Sequence, residues 1–348
     1  MGLADFVVRR ILLMIPTLIG VTLLIFAVTQ LFTPEQRATL YVTNEKQMNN
    51  IPLLIQQYHL NESIFVQYSN YMQQLLQGNL GFSQTSRAPV LQTILRKIPA
   101  TFEVVMMSIP IIIFLGIYLG VVSAVHRDKP IDHITRTGAI IGWSLPSFWL
   151  GIILIAVFFS GLGWFLPERA SSWAQNYIDL SHNWTAYTGL YTVDGLLNGK
   201  PDITLDVIRH MVMPTIVLVT IQIALIIRVM RSSMLEALGK GYITAAKAKG
   251  LTNTEVINKH ARRNALIPTI TVSGLLTAGM LTGVVITETV FNIEGLGRWA
   301  VRAAGGGGIV PDIPAVLGFA LLSGIVYVVA NLIVDILYAF VDPRIRLG

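Results

Sequence analysis

The residues that could bind phosphate in this 348-residue chain are two Gly-Lys pairs, and neither sits in a nucleotide loop. A phosphate cradle of the form G-x-x-x-x-G-K-[ST] needs the hydroxyl after lysine to hold magnesium. Here Gly199-Lys200 is followed by Pro201, and Gly239-Lys240 by Gly241. Cysteine is absent, which excludes disulfides, thiolate nucleophiles and thiolate-ligated metals. The six histidines show no H-E-x-x-H spacing or clustering, so no catalytic metal is expected. The remaining candidates for chemistry are charges within or beside apolar runs: Glu103, Arg228, Glu288 and Asp335. A charge at the centre of a membrane helix costs at least ~2.5 kcal/mol, a cost that favours a functional use such as a proton relay. All four lie close to the ends of their runs, which favours interfacial or helix-packing charges instead.

The densest pattern lies at 234–268, between two apolar runs. Leu235, Leu238, Tyr242 and Ala246 recur every three or four residues and predict one apolar helix face. Gly250 is placed to end that helix as a left-handed C-terminal cap. Thr252 and Glu255 form T-x-x-E, a capping box that opens a second helix carrying Lys259, Arg262 and Arg263. Ala245, Ala246 and Ala248 would let the first helix approach a partner backbone closely, with Lys247 and Lys249 at the rim. A basic helix lying on anionic lipid is the other reading, and it would favour bulkier apolar residues.

These features need elements to hold them, and composition states the environment. The chain is 53% hydrophobic and 13% charged, with a mean hydropathy of +0.63. Soluble domains carry roughly 25% charged residues. Six runs are long enough to cross a bilayer, at 11–32, 100–125, 138–160, 211–230, 266–287 and 314–341. The first follows Arg9 and Arg10, exceeds a signal-peptide core in length, lacks a small-residue cleavage site, and is expected to be retained. The net charge of +6 gathers in 126–137, 231–265 and the two ends, which predicts cytoplasmic termini. No nucleic-acid role is expected from this charge. Segment 48–76 carries helical spacing. Segment 161–209 is aromatic, through Trp164, Trp173, Tyr177, Trp184, Tyr187 and Tyr191, and reads as an interfacial belt or a docking surface. The glycines at 305–308 read as a turn. Gly116 and Gly120 form G-x-x-x-G, and Gly274, Ala278 and Thr282 give a small face. Both permit close helix packing or a pore lining.

The stretch Tyr242-Ile-Thr-Ala-Ala-Lys-Ala-Lys-Gly250, followed by His260-Ala-Arg-Arg-Asn-Ala-Leu-Ile-Pro268, resembles the cytoplasmic EAA-type loop of ABC importer permeases. More narrowly it is similar to the B-type permease subunit of the dipeptide/oligopeptide/nickel family. Further matching stretches are Gly78-Asn-Leu-Gly-Phe-Ser83, Ser144-Leu-Pro-Ser-Phe-Trp149, Glu288-Thr-Val-Phe-Asn-Ile-Glu-Gly-Leu-Gly297 and Asp335-Ile-Leu-Tyr-Ala-Phe-Val-Asp-Pro-Arg344. The resemblance implies an all-α membrane protein with six spans and a type I importer core at 98–341. The first span at 1–32, an external loop at 33–97 and a tail at 342–348 stand outside that core. Within the coupling loop at 231–265, the resemblance implies ATPase contact through Leu238, Tyr242, Thr244, Ala245, Ala246, Ala248, Lys249 and Gly250. Thr252, Glu255, His260 and Arg263 support the loop. Thr244 stands where the general pattern has Glu, and Arg263 near where many members have Leu-Pro. The implied partners are a second homologous permease, two ATPase subunits, an external substrate-binding protein and the lipid bilayer of a prokaryotic inner membrane. No cofactor is expected on this chain, with ATP and magnesium held by the ATPases. Peptides are the implied cargo, with nickel, oligosaccharide or another small solute as alternatives. A proton-coupled carrier or respiratory-complex subunit is the competing class.

Overall fold

A computed structural model describes residues 3–306 and 311–341. The rest of the 305–308 glycine turn and the 342–348 tail, with Arg344 and Arg346, lie outside the described residues. Helix α1 (Leu3–Thr29) leads into α2 (Pro34–Ala38), two short tight turns, α3 (Ile51–Gln57) and α4 (Ile64–Leu76). A two-residue hairpin, β1 (Phe82–Ser83) with β2 (Ala88–Pro89), precedes the long α5 (Val90–Val125). Then come α6 (Pro130–Ser144), α7 (Ser147–Leu154), α8 (Ser172–Leu180), α9 (Tyr191–Leu197) and the long α10 (Pro201–Leu238). The chain continues through α11 (Gly241–Ala248), α12 (Asn253–Glu255), α13 (Arg262–Leu281), α14 (Val285–Val290), α15 (Leu296–Ala303) and α16 (Ile313–Val341).

Five of these helices are long and apolar enough to span a membrane: α1, α5, α10, α13 and α16. The expected third span is not a straight rod. Helices α6 and α7 meet at 94° and count as a sixth span only as a bent pair. Pro146 causes the break, because its ring pushes Leu145 out of the helical region, to φ −74 and ψ 129. The fifth span also ends earlier than expected, at Leu281, and 285–290 forms the separate α14. Likewise 48–76 is two helices, divided by a turn in which His59 has φ 53.

Helices α5 and α10 form the centre. Gly116 and Gly120 are the reason they lie so close: a methyl on Gly116 would stand 2.6 Å from Ile226 Cγ2, and one on Gly120 2.7 Å from Met230 Cβ. The G-x-x-x-G therefore packs a helix pair and lines no pore. Gly274 meets Val334 in the same manner, seating α13 on α16. Helix α1 packs outside α16, and Arg10 reaches Asp335 at 3.2 Å.

The loops opposite the 239–261 elbow are folded bodies. The segment after α1 buries Leu54, Leu60, Tyr71 and Phe82 against Phe26, Leu317 and Leu321. Burial pushes the Tyr41 phenol up to about 12, and its ring stacks on Tyr58 at 4.4 Å. In the second loop the aromatic residues divide. Tyr177, Trp184 and Tyr191 pack on the core, whereas Trp164, Trp173 and Tyr187 are exposed.

Candidate functional site

Helix α10 does not run on into the elbow. Gly239 and Lys240 interrupt it, and Lys240 is extended at φ −80 and ψ 149. Lys240 still holds Glu236 across the break at 2.9 Å, a hydrogen bond that raises its pKa. The single apolar face expected over Leu235, Leu238, Tyr242 and Ala246 is thus divided between two helices. Leu238 closes α10 and packs partly on the elbow's core, while Tyr242 is 40% exposed. The buried side of α11 is instead Ile243 and Ala246, at 2% and 6% exposure. They sit on Ala124 of α5, Met230 and Met234 of α10, and Val256 and Ala261 of the second arm. Ala246 therefore faces this chain and not a partner.

The helix ends through two backbone bonds. Leu251 N–H donates to the Ala246 carbonyl, and Gly250 N–H to the Lys247 carbonyl at 3.0 Å. This pairing closes a helix onto a left-handed residue, and Gly250 has φ +81. A side chain there would meet nothing within 4 Å. Glycine is required by conformation, worth roughly 1–2 kcal/mol, and not by space. The capping box then forms: Glu255 N–H donates to Thr252 Oγ1 and Thr252 N–H to Glu255 Oε2. Lys259 adds an ion pair to Glu255 at 3.1 Å. A wide π-turn over Val256–Ala261 passes the chain into α13, where Asn264 donates to the His260 carbonyl.

What remains outward is a shallow surface of Tyr242, Thr244, Ala245, Ala248, Lys249 and Gly250. Arg263 is also exposed, as the second residue of α13. The surface has small residues at its centre and cations at its rim, on a helix fixed from beneath by three other elements.

Sequence reasoning missed the lock under this elbow. Asp132, at the start of α6, is wholly buried and accepts two hydrogen bonds from Arg231 of α10, at 2.8 and 2.7 Å. Ser123 Oγ and Asp128 N–H complete its shell. The partners are 99 residues apart, and the one hint was an acid among the basic residues of 126–137. At the opposite end Glu103 accepts from Arg169 Nε, Thr192 N–H and Thr192 Oγ1, each at 2.8 Å. Glu288 accepts from Thr101 Oγ1 and Arg298 N–H. Both carboxylates are met by donors of this chain, near the span ends.

The pattern of the binding-protein-dependent transport system inner membrane component matches residues 112–347, and its N-terminal companion matches 3–115. The chain belongs to that family. This permease is 37% identical to the di/tripeptide transport system permease protein of Pseudomonas aeruginosa, over 98% of each chain. It is 37% identical to the dipeptide transport system permease protein of Escherichia coli, again over 98% of each. The oligopeptide transport system permease protein of Bacillus subtilis is 33% identical over 99% of this permease and 100% of its own length. It is accordingly a multi-pass inner-membrane transport component and not an enzyme.

Proposed function

We propose that this permease forms half of the membrane path of an ATP-driven peptide importer. Full-length similarity to di/tripeptide, dipeptide and oligopeptide permeases supports the cargo. The second half of the path comes from a homologous permease, an external binding protein delivers the peptide, and two ATPase subunits hold ATP and magnesium. The elbow end faces the cytoplasm together with both termini. Its excess of Arg127, Lys129, Lys247, Lys249, Lys259, Arg262 and Arg263 supports that orientation.

The observation that carries the coupling role is the outward surface of α11, with small Thr244, Ala245 and Ala248 set on a buried seat of three elements. Such a surface enters a groove on an ATPase as one rigid piece. Closure of the ATPases on ATP then tilts α11, and α10 and α13 follow because Ile243 and Ala246 join them. Deletion of 242–250 is expected to abolish binding-protein-stimulated ATP hydrolysis while the chain still inserts. Normal stimulation in that variant would refute the role.

The proton-coupled reading requires an essential buried acid. Glu288→Gln keeps one acceptor oxygen, so uptake is expected to stay ATP-dependent and indifferent to a pH gradient. Uptake driven by the gradient alone in the wild type, and lost in this variant, would restore the carrier reading.

A further inference from the structure

One face of α10 leads from the middle of the molecule to the elbow. Leu218, Ile221, Leu225, Arg228 and Ser232 succeed one another at spacings of three and four residues, so they form a single row along the helix. Exposure rises along it: Leu218 is buried, Ile221 intermediate, and Leu225, Arg228 and Ser232 are exposed. The bent pair supplies the facing wall. Helix α6 runs against α10 from the Asp132–Arg231 pair to Gly142, where a methyl would stand 2.8 Å from the Thr220 carbonyl oxygen. Arg136, Ile140 and Trp143 follow on that wall, again every three or four residues, and Ser147 opens α7 beyond the Pro146 break.

Two hollows of about 460 Å³ each lie along this groove. The hollow nearer the centre is lined by uncharged residues, among them Ser147, Leu218, Gln222, Gly279 and Thr287. The hollow nearer the elbow contains Arg136, Arg228, Arg231 and Ser232 above Ala139 and Ile140.

The three arginines are not equivalent. Arg231 is committed to Asp132 through two hydrogen bonds. Arg228 lies over the Trp143 ring at 5.4 Å, a contact that orients a guanidinium without neutralising it. Among the described residues no carboxylate pairs with Arg228 or Arg136. An arginine side chain on a helix leans toward the N-terminus, which aims Arg228 of α10 up the groove toward the uncharged hollow. Both guanidiniums are exposed in the groove and lack a carboxylate partner among the described residues, so they are open to an anion from outside the chain.

We infer that Arg228 and Arg136 form a carboxylate-binding site at the elbow-side end of this groove, where the free C-terminal carboxylate of a transported peptide is received. This rests on the peptide-importer reading above. Uncharged walls let side chains of any kind pass, and a planar guanidinium recognises the one anionic group that every unmodified peptide carries. The site acts on the exit side, where it draws the carboxylate end toward the elbow.

The absence of cysteine makes the test direct. Ser232→Cys places a unique thiol of this chain in the charged hollow, within a complete transporter whose other subunits lack cysteine. A sulfonate-bearing methanethiosulfonate is expected to label it faster than the trimethylammonium analogue. In an R136Q/R228Q background that rate ratio is expected to fall about fivefold, and R136K/R228K to recover most of it. A millimolar tripeptide should slow labelling, and its C-terminal amide should not. An unchanged ratio, or equal protection by the amide, overturns the site. Protection that follows the phosphatidylglycerol content of the vesicle and ignores peptide assigns the arginines to lipid phosphate, and also overturns it. Peptide uptake by the wild type is measured in parallel. Uptake without protection of the Ser232→Cys thiol defeats this inference alone, whereas a wild type that takes up no peptide defeats the importer reading with it.

Discussion

The two ends of the molecule use charge in opposite ways. Opposite the elbow, buried carboxylates are satisfied within the chain. Glu103 has three donors, Asp194 takes Thr188 N–H, Thr188 Oγ1 and Gly189 N–H, and Asp312 takes Ser83 Oγ and Thr85 N–H. Glu103 ties a loop to α5, Asp312 ties one to the start of α16, and Asp194 closes a turn within its own loop, so that end is a finished surface. At the elbow end, among the described residues, Asp132 alone is a wholly buried carboxylate in that part. The neighbouring cations Lys247, Lys249 and Arg262 point outward, beside a helix whose small residues are exposed. One end satisfies its charges within the chain, and the other leaves cations and small residues exposed.

The sharpest way to break that contrast is to remove the Asp132 clamp at the elbow end. Asp132→Ala strands Arg231 in a half-buried site and leaves Ser123 without its acceptor. Breaking a buried pair from one side costs about 3–5 kcal/mol. The thermal unfolding midpoint in detergent should fall accordingly, and a second change, Arg231→Met, should restore much of it by removing the stranded charge. A fall of less than about 1 kcal/mol would place Asp132 among the solvated surface acids, whose pairs contribute that little.

A smaller effect separates the two sides of α11. Ala246→Trp forces a large ring into the seat formed by Met230, Met234 and Val256, at a cost of about 1–3 kcal/mol. Ala245→Trp points outward and should leave unfolding unchanged while stimulated ATP hydrolysis is lost. If both variants unfold alike, α11 is not seated as described.

The elbow was legible in the sequence because its signals are local. Gly250 and the Thr252/Glu255 box act over five residues or fewer, and their hydrogen bonds form as their spacing dictates. Hydropathy likewise placed five spans, since burial in lipid depends on composition and not on partners. Direction was harder. Pro146 stood in plain sight, yet a hydropathy window cannot distinguish one rod from two helices at 94°. The break at Gly239–Lys240 was hidden for a related reason: apolar residues on either side kept helical spacing by coincidence. Asp132–Arg231 and Glu103–Arg169 lie 99 and 66 residues apart, so no pattern within either segment pairs them. The direction that Ala246 faces depends on those tertiary contacts too.

The weakest expected effect tests whether surface acids opposite the elbow belong to the same scheme as the buried ones. Glu294 meets Lys97 at 2.8 Å, Arg298 at 2.9 Å and Arg302 at 3.3 Å, but it is nearly half exposed. Burial pulls its carboxyl up, while the Lys97 hydrogen bond and charge, aided by both arginines, hold it below the ordinary 4.5. A carboxylate lowered on folding stabilises the folded state above its unfolded pKa, and that contribution is lost as pH falls through the folded value. Glu294→Gln should therefore lower stability at pH 7 by less than about 1 kcal/mol, because solvent screens such pairs. The difference between variant and wild type should shrink as the pH is brought below 4.5. Melting curves of both proteins across that interval measure it. A difference that persists undiminished at low pH would mean that Glu294 acts through packing, and would leave the internally satisfied charges of that end confined to its buried carboxylates.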